Sequence, residues 1–128
     1  MSDPIVFVAV HKVKPGKVDG LRAMSPELTE AFRAGKPQTL AYLTYLSADG
    51  NEVGYVQVYA DADAMERHME GLEDRLRRLA EFMDFHRYEI FGRPSDETLH
   101  RLRQAAGPGV TLTEMPEYIS GYIRLLSI

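Results

Sequence analysis

Along Thr39–Ser47 and Glu52–Ala60, hydrophobic positions alternate with other hydrophobic positions rather than with charge. Both stretches have strand composition, and the turn Ala48-Asp49-Gly50-Asn51 joins them, so they predict a hairpin. One of its faces carries Ala41, Leu43, Tyr45, Val56 and Val58. The other carries Leu40, Tyr42, Thr44, Leu46, Tyr55, Gln57 and Tyr59. A strand with one solvated face alternates apolar with polar residues. No charged residue stands between Thr39 and Leu46 or between Val53 and Ala60, so both faces are expected to be covered.

The rest of the chain supplies candidate covers. Ile5–Val13 is β-branched and aromatic and predicts a central strand, with Val6, Val8 and Val10 on one side and Phe7, Ala9 and His11 on the other. Lys17–Gly35 has helical spacing through Val18, Leu21, Leu28 and Phe32, with a kink or restart expected at Ser25 before Pro26. A second helix begins at Asp61 or Asp63, the latter forming a capping-box pattern with Glu66. Its apolar line is Met65, Met69, Leu72, Leu76, Leu79 and Met83, and Gly71 predicts a bend. Phe85–Phe91 predicts a fourth strand.

Strand, helix, strand, strand, helix, strand is the order of the ferredoxin-like βαββαβ unit, whose two helices cover one face of an antiparallel sheet. The fold class expected is therefore α+β. A single domain over 1–128 is expected, with residues 4–91 as its core and 95–128 as a helix-strand-strand extension. That extension comprises Asp96–Ala106 capped by Ser95, then Val110–Glu114, then Tyr118–Leu126. The valine side of the first strand and the Leu43/Val56/Val58 side of the hairpin are the expected partners of the helices. The second face would present Phe7, Ala9, Tyr42, Thr44, Leu46, Tyr55 and Tyr59 to a copy of itself in a two-fold homodimer, the alternative cover being the C-terminal tail folded back across its own sheet.

Composition narrows the function. A net charge of −4 argues against a nucleic-acid partner, which needs a basic face. Arg75, Arg77 and Arg78 cluster but alternate with Glu73, Asp74 and Glu81, as on a solvated helix side. The chain has no cysteine, which removes thiolate chemistry and suits a reducing cytoplasm. No signal-peptide pattern opens the sequence and no run is long enough to span a bilayer, so neither secretion nor a membrane partner is expected. The four histidines show no metal-type spacing, and no glycine-rich phosphate loop or Gly-x-Ser-x-Gly elbow is present.

The valine strand leading into Val13-Lys14-Pro15-Gly16-Lys17, the turn at Ala48–Asn51, and Ala64-Met65-Glu66-Arg67-His68-Met69 together resemble the dimeric α/β-barrel proteins of the antibiotic-biosynthesis-monooxygenase type. The resemblance covers about residues 4–91. It implies a ferredoxin-like protomer, a homodimer, and a small-molecule pocket between sheet and helices. It also implies an activity among cofactor-free oxygenases of aromatic substrates, haem-degrading enzymes or proteins of no assigned chemistry. Many members carry Glu-x-Trp where this chain has Gln57-Val58-Tyr59, and the chain has no tryptophan, which argues against haem degradation.

The candidate site follows from both lines. His68 matches the family histidine and sits beside the buried stripe of its helix. His11, Tyr42, Thr44, Tyr55, Gln57 and Tyr59 share one sheet face, and Arg87 is expected to join them. His68, His11 and Tyr59 are the catalytic candidates, for proton transfer. Tyr42, Thr44, Tyr55, Gln57 and Arg87 are the substrate-binding candidates, on a surface suited to a planar ligand. No cofactor and no metal are expected. The function expected is a small-molecule-binding protein, with cofactor-independent monooxygenase-like action on a planar aromatic metabolite. The alternatives are a non-catalytic ligand-binding or accessory protein, and a structural partner whose sheet face is filled by packing.

Overall fold

A computed structural model of the chain describes residues 3–124. Its elements are β1 (Ile5–Val13), α1 (Val18–Gly35), β2 (Thr39–Leu46), β3 (Glu52–Tyr59), α2 (Ala62–His68), α3 (Leu72–Leu79), β4 (Met83–Phe91), α4 (Asp96–Ala106) and β5 (Thr111–Met115). The sheet order is β2-β3-β1-β4-β5. The first four strands pair antiparallel, as in the expected βαββαβ unit. β5 runs parallel to β4, from Arg87↔Thr111 to Phe91↔Met115, so the sheet is mixed rather than wholly antiparallel. A parallel neighbour needs a crossover, and α4 supplies it. Among the described residues, no helix is long and apolar enough to cross a membrane.

Local chemistry explains most boundaries. Asp61, not Asp63, caps α2, and its carboxylate accepts from the Ala64 amide at 2.8 Å. Ser95 caps α4 by accepting from the Thr98 amide at 3.1 Å. Gly71 adopts φ +80°, and this left-handed residue divides the expected second helix into α2 and α3. Met83 then belongs to β4 rather than to the helical stripe. Of the kink or restart expected at Ser25, the restart does not occur. α1 runs through Pro26, and the Ser25 hydroxyl donates back to the Leu21 carbonyl at 2.7 Å. The strand expected over Tyr118–Leu126 is absent from residues 118–124, and the rest of it lies outside the described residues.

The principal difference from expectation concerns the two sheet faces. The helices cover Ile5, Phe7, Ala9 and His11 of β1, together with Val53, Tyr55, Gln57 and Tyr59 of β3. Val6, Val8, Val10, Ala41, Val56 and Val58 point away from them, and Leu43 is 45% and Tyr45 61% exposed on that open side. The assignment of faces made from the sequence is therefore inverted, and the aromatic face cannot be the one offered to a second copy. The physical reason is volume. The space between sheet and helices must be filled to crystal-like density, and large rings fill it, as where Phe7 stacks on Tyr88 with centroids 5.4 Å apart. Valines give a shallow face suited to another sheet.

Two bulges adjust the pairing. The β2–β3 register shifts between Thr39 and Ala41, so Leu40 is left out, 49% exposed, and Thr39 rather than Leu40 shares the helix-facing side. The β1–β4 register shifts between Val10 and Lys12, so two residues of β4, Phe85 and His86, stand opposite His11.

Candidate functional site

The helix-facing side of the sheet, α1, α3 and α4 enclose a cavity of about 50 Å³. Its sheet wall is Phe7, Ala9, His11, Tyr42, Tyr55, Gln57 and Tyr88. Its helix wall includes Leu28, Phe32, His68, Leu72, Arg75 and Leu76. No carboxylate lines it among the described residues.

His68 is the last residue of α2 and is 2% exposed. Its Nδ1 lies 2.7 Å from the Thr39 hydroxyl, a contact that exists because the Leu40 bulge turns Thr39 inward. Phe32, Tyr59 and Tyr42 surround the ring at centroid distances of 4.4, 5.2 and 5.9 Å. Burial, with Arg75 and Lys36 nearby, pulls its pKa from 6.5 down to about 3, so the ring is neutral at physiological pH.

The carbonyls at the end of α2 are held by cations. Lys36 donates to Arg67 O at 2.7 Å, Arg75 to His68 O at 2.8 Å and to Glu70 O at 2.7 Å, and Arg101 to Met69 O at 2.9 Å. These bonds satisfy acceptors that a helix end leaves unpaired, and they place positive charge at the negative pole of the helix.

His11 is fixed from the opposite wall. Its Nδ1 accepts from the His86 amide at 2.9 Å, an amide freed by the β4 bulge. In the neutral ring the proton therefore sits on Nε2, which makes that edge a donor. Phe85 and Tyr88 meet the ring edge-on at 5.0 and 5.1 Å. Burial is the largest cause of a pKa lowered to about 4, with His86 and Arg87 adding to it.

The tyrosines are held protonated. Burial raises Tyr55 and Tyr88 to about 12, and Tyr42 and Tyr59 are likewise raised well above the usual 10 by burial. The Tyr59 hydroxyl donates to the Gln57 side-chain oxygen, so the two residues standing at the family's Glu-x-Trp positions are bonded to each other. The Tyr55 and Thr44 hydroxyls are buried without a hydrogen-bond partner among the described residues. An unpaired buried hydroxyl costs about 1–3 kcal/mol, so a polar group entering beside Tyr55 would recover that energy.

The structure thus gathers His11, His68, Tyr42, Tyr55 and Gln57 around one cavity, with Tyr59 against His68 and Thr44 on the same sheet side. Arg87 is not among them. It stands opposite Val10 on the open face and pairs with Glu89 at 3.7 Å, because Tyr88 and Ile90 take the helix-facing positions of β4. Two residues that matter were missed. Thr39 needed the bulge to be known. Arg75 was read as solvated because of its charged neighbours, although it falls between Leu72 and Leu76 on the buried stripe, four residues after a helix-breaking glycine. Among the described residues, no three His, Asp or Glu side chains are grouped to hold a metal.

No family profile and no curated protein matches the sequence. Solved structures do match its fold. MupZ from Pseudomonas fluorescens is 17% identical, with a TM-score of 0.68, over 94% of this chain and 96% of that one. SnoaB from Streptomyces nogalater, a cofactor-independent oxygenase solved as a point mutant, is 21% identical, with a TM-score of 0.59, over 73% and 96%. A Caulobacter crescentus protein described as a candidate antibiotic biosynthesis monooxygenase is 22% identical, with a TM-score of 0.59, over 70% and 86%. The protomer therefore has the ferredoxin-like fold of the antibiotic-biosynthesis-monooxygenase type, and the likeness to MupZ extends over nearly the whole chain.

Proposed function

We propose that the protein binds a small planar aromatic molecule in the cavity between sheet and helices, and oxygenates it without a bound cofactor. The observation that carries this reading is the cavity itself. Rings dominate its sheet wall and leucines most of its helix wall, and its polar groups are neutral histidines, protonated tyrosines, one amide and the Arg75 guanidinium. Such a site favours an aromatic guest and directs a few hydrogen bonds at its substituents. At about 50 Å³ the space holds only a few waters, so a guest larger than that enters by displacing side chains.

In the reaction, His68 is the base and draws a proton from a phenolic or activated C–H group. The anion left behind is electron-rich enough to reduce O2 directly. One oxygen atom enters the product and the other leaves as water, with all electrons supplied by the substrate. His11 Nε2–H and the Tyr55 hydroxyl are placed to donate to the developing oxyanion. His68 has a weakly basic ring, so its role rests on placement rather than on strength. The name and fold of SnoaB support this reading without fixing the substrate.

The test is oxygen uptake by purified protein with a panel of hydroquinones and anthrones. Uptake that is stoichiometric with product and lost in His68→Ala is expected. Binding with no turnover by the wild type would make the protein a ligand carrier of the same fold, which the Gln57/Tyr59 pair in place of Glu-x-Trp favours as the second reading.

The open sheet face supports a homodimer built through the valines of β1 and β3, with Leu43 and Tyr45 at its rim. The cysteine-free sequence suits a reducing cytoplasm, where we place the protein.

A further inference from the structure

Three cations converge on the end of α2, and they are not equivalent. Lys36 has Glu70 at 4.0 Å. Arg101 has Glu73 at 3.8 Å and Glu97 at 3.7 Å. Arg75 makes no ion pair among the described residues, yet it alone of the three lines the cavity. Its guanidinium carbon lies 5.0 Å from the centre of the Phe32 ring, and the group donates to the His68 and Glu70 carbonyls. A guanidinium carries five N–H donors, and two carbonyls do not exhaust them. The cavity lining thus includes one partly buried cation and no carboxylate, and the cation has N–H donors left over for a carboxylate or phenolate oxygen.

We infer that Arg75 is the anion-recognising residue of this cavity, and that its ligand is a planar aromatic molecule carrying one negative oxygen group at the end nearest Arg75. This rests on the reading of the cavity as an aromatic-binding site. It adds the ligand's charge and its orientation: ring between Phe32 and the tyrosines of the sheet, anionic group toward α3. Arg75 is half-buried and makes no ion pair of its own among the described residues, and an anionic guest would supply one. The same placement assists the proposed chemistry, because a guest anion beside Arg75 is stabilised before and after its proton is removed.

Matched probes test this by calorimetry at neutral pH: benzoate against benzamide, and 2-naphthoate against 2-naphthamide. Each pair keeps the ring and changes the charge. The wild type is expected to bind each anion at least about tenfold more tightly than its amide, the size of one charge-assisted contact. Arg75→Gln is expected to bind both members of a pair equally, and Arg75→Lys to keep part of the preference. Equal binding of anion and amide by the wild type, or an undiminished preference in Arg75→Gln, overturns the inference and leaves the aromatic site standing. Failure of all four probes to bind the wild type overturns the aromatic site and the inference with it. Since Arg75 also caps α2, Arg75→Gln could fold poorly, and the wild-type pair then decides alone.

Discussion

At the scale of single residues, the site is defined by groups kept in their neutral form. Both histidines have pKa values held below the usual 6.5, near 4 for His11 and near 3 for His68. The unfolded chain therefore binds more protons than the folded one once pH falls below about 6.5. Their contribution is fully present above that value and is lost as pH falls toward 4 and 3. Each ring is expected to remove roughly 1.4 kcal/mol per pH unit in that window. Urea unfolding between pH 7 and 5 should show a falling midpoint, and His68→Gln should show a shallower fall. An unchanged slope in that variant would mean that His68 titrates normally. The residues grouped around the cavity were legible in the sequence because a period of two sorts side chains by face. Arg87 is grouped with them on the expectation that Tyr88 and Ile90 face the helices, as they do, and it is the inversion of the two sheet faces that leaves Arg87 outside the cavity.

At the scale of elements, caps and glycines determine where the site residues stand. Gly71 ends α2 and starts α3, and this break is what lets Arg75 reach back to the His68 carbonyl. Gly92, at φ +107°, follows β4, and a Cβ there would meet the Pro4 carbonyl oxygen at 2.9 Å and the Ile5 side chain at 3.1 Å. The nearest obstacle is backbone and cannot swing aside. Gly92→Ala is therefore expected to destabilise the fold by roughly 2–3 kcal/mol, combining left-handed strain with overpacking. A thermal melt checks this, and a melting temperature within a degree of wild type would show that β1 can shift to make room. The helix and strand sequence was readable from periodicity and stop signals. The continuity of α1 through Pro26 was not, because burial of Leu21 and Phe32 on either side of the proline overrides its local preference.

At the scale of the molecule, the sheet face away from the helices carries half-buried valines beside the exposed Leu43 and Tyr45, and it is the face of the proposed homodimer. A homodimer that pairs this face with itself places Val8, which sits between Val56 and Glu89, near the centre of the sheet. Val8→Glu would set four carboxylates close together across a two-fold interface, two from each chain. It is expected to give a monomer by light scattering at micromolar concentration, with an unchanged circular dichroism spectrum. A wild type that is itself monomeric under those conditions would remove the dimer. The C-terminal extension acts at this scale too. α4 adds Leu102 to the cavity, and β5 covers the β4 edge that would otherwise be open to pairing.

Periodicity and stop signals suffice for the order of the first four strands and for the helical segments that connect them. The sequence by itself also grouped His11, Tyr42, Thr44, Tyr55, Gln57 and Tyr59 on one side. Only the tertiary structure decided which side the helices take, that Thr39 meets His68, that Arg75 enters the cavity, and that β5 runs parallel. The physical reason is that alternation groups side chains but assigns no layer to either group. When both groups are apolar, the choice falls to the volume that must be filled between sheet and helices. Bulges and crossovers are likewise settled by pairing between segments far apart in the chain, and no local pattern records them.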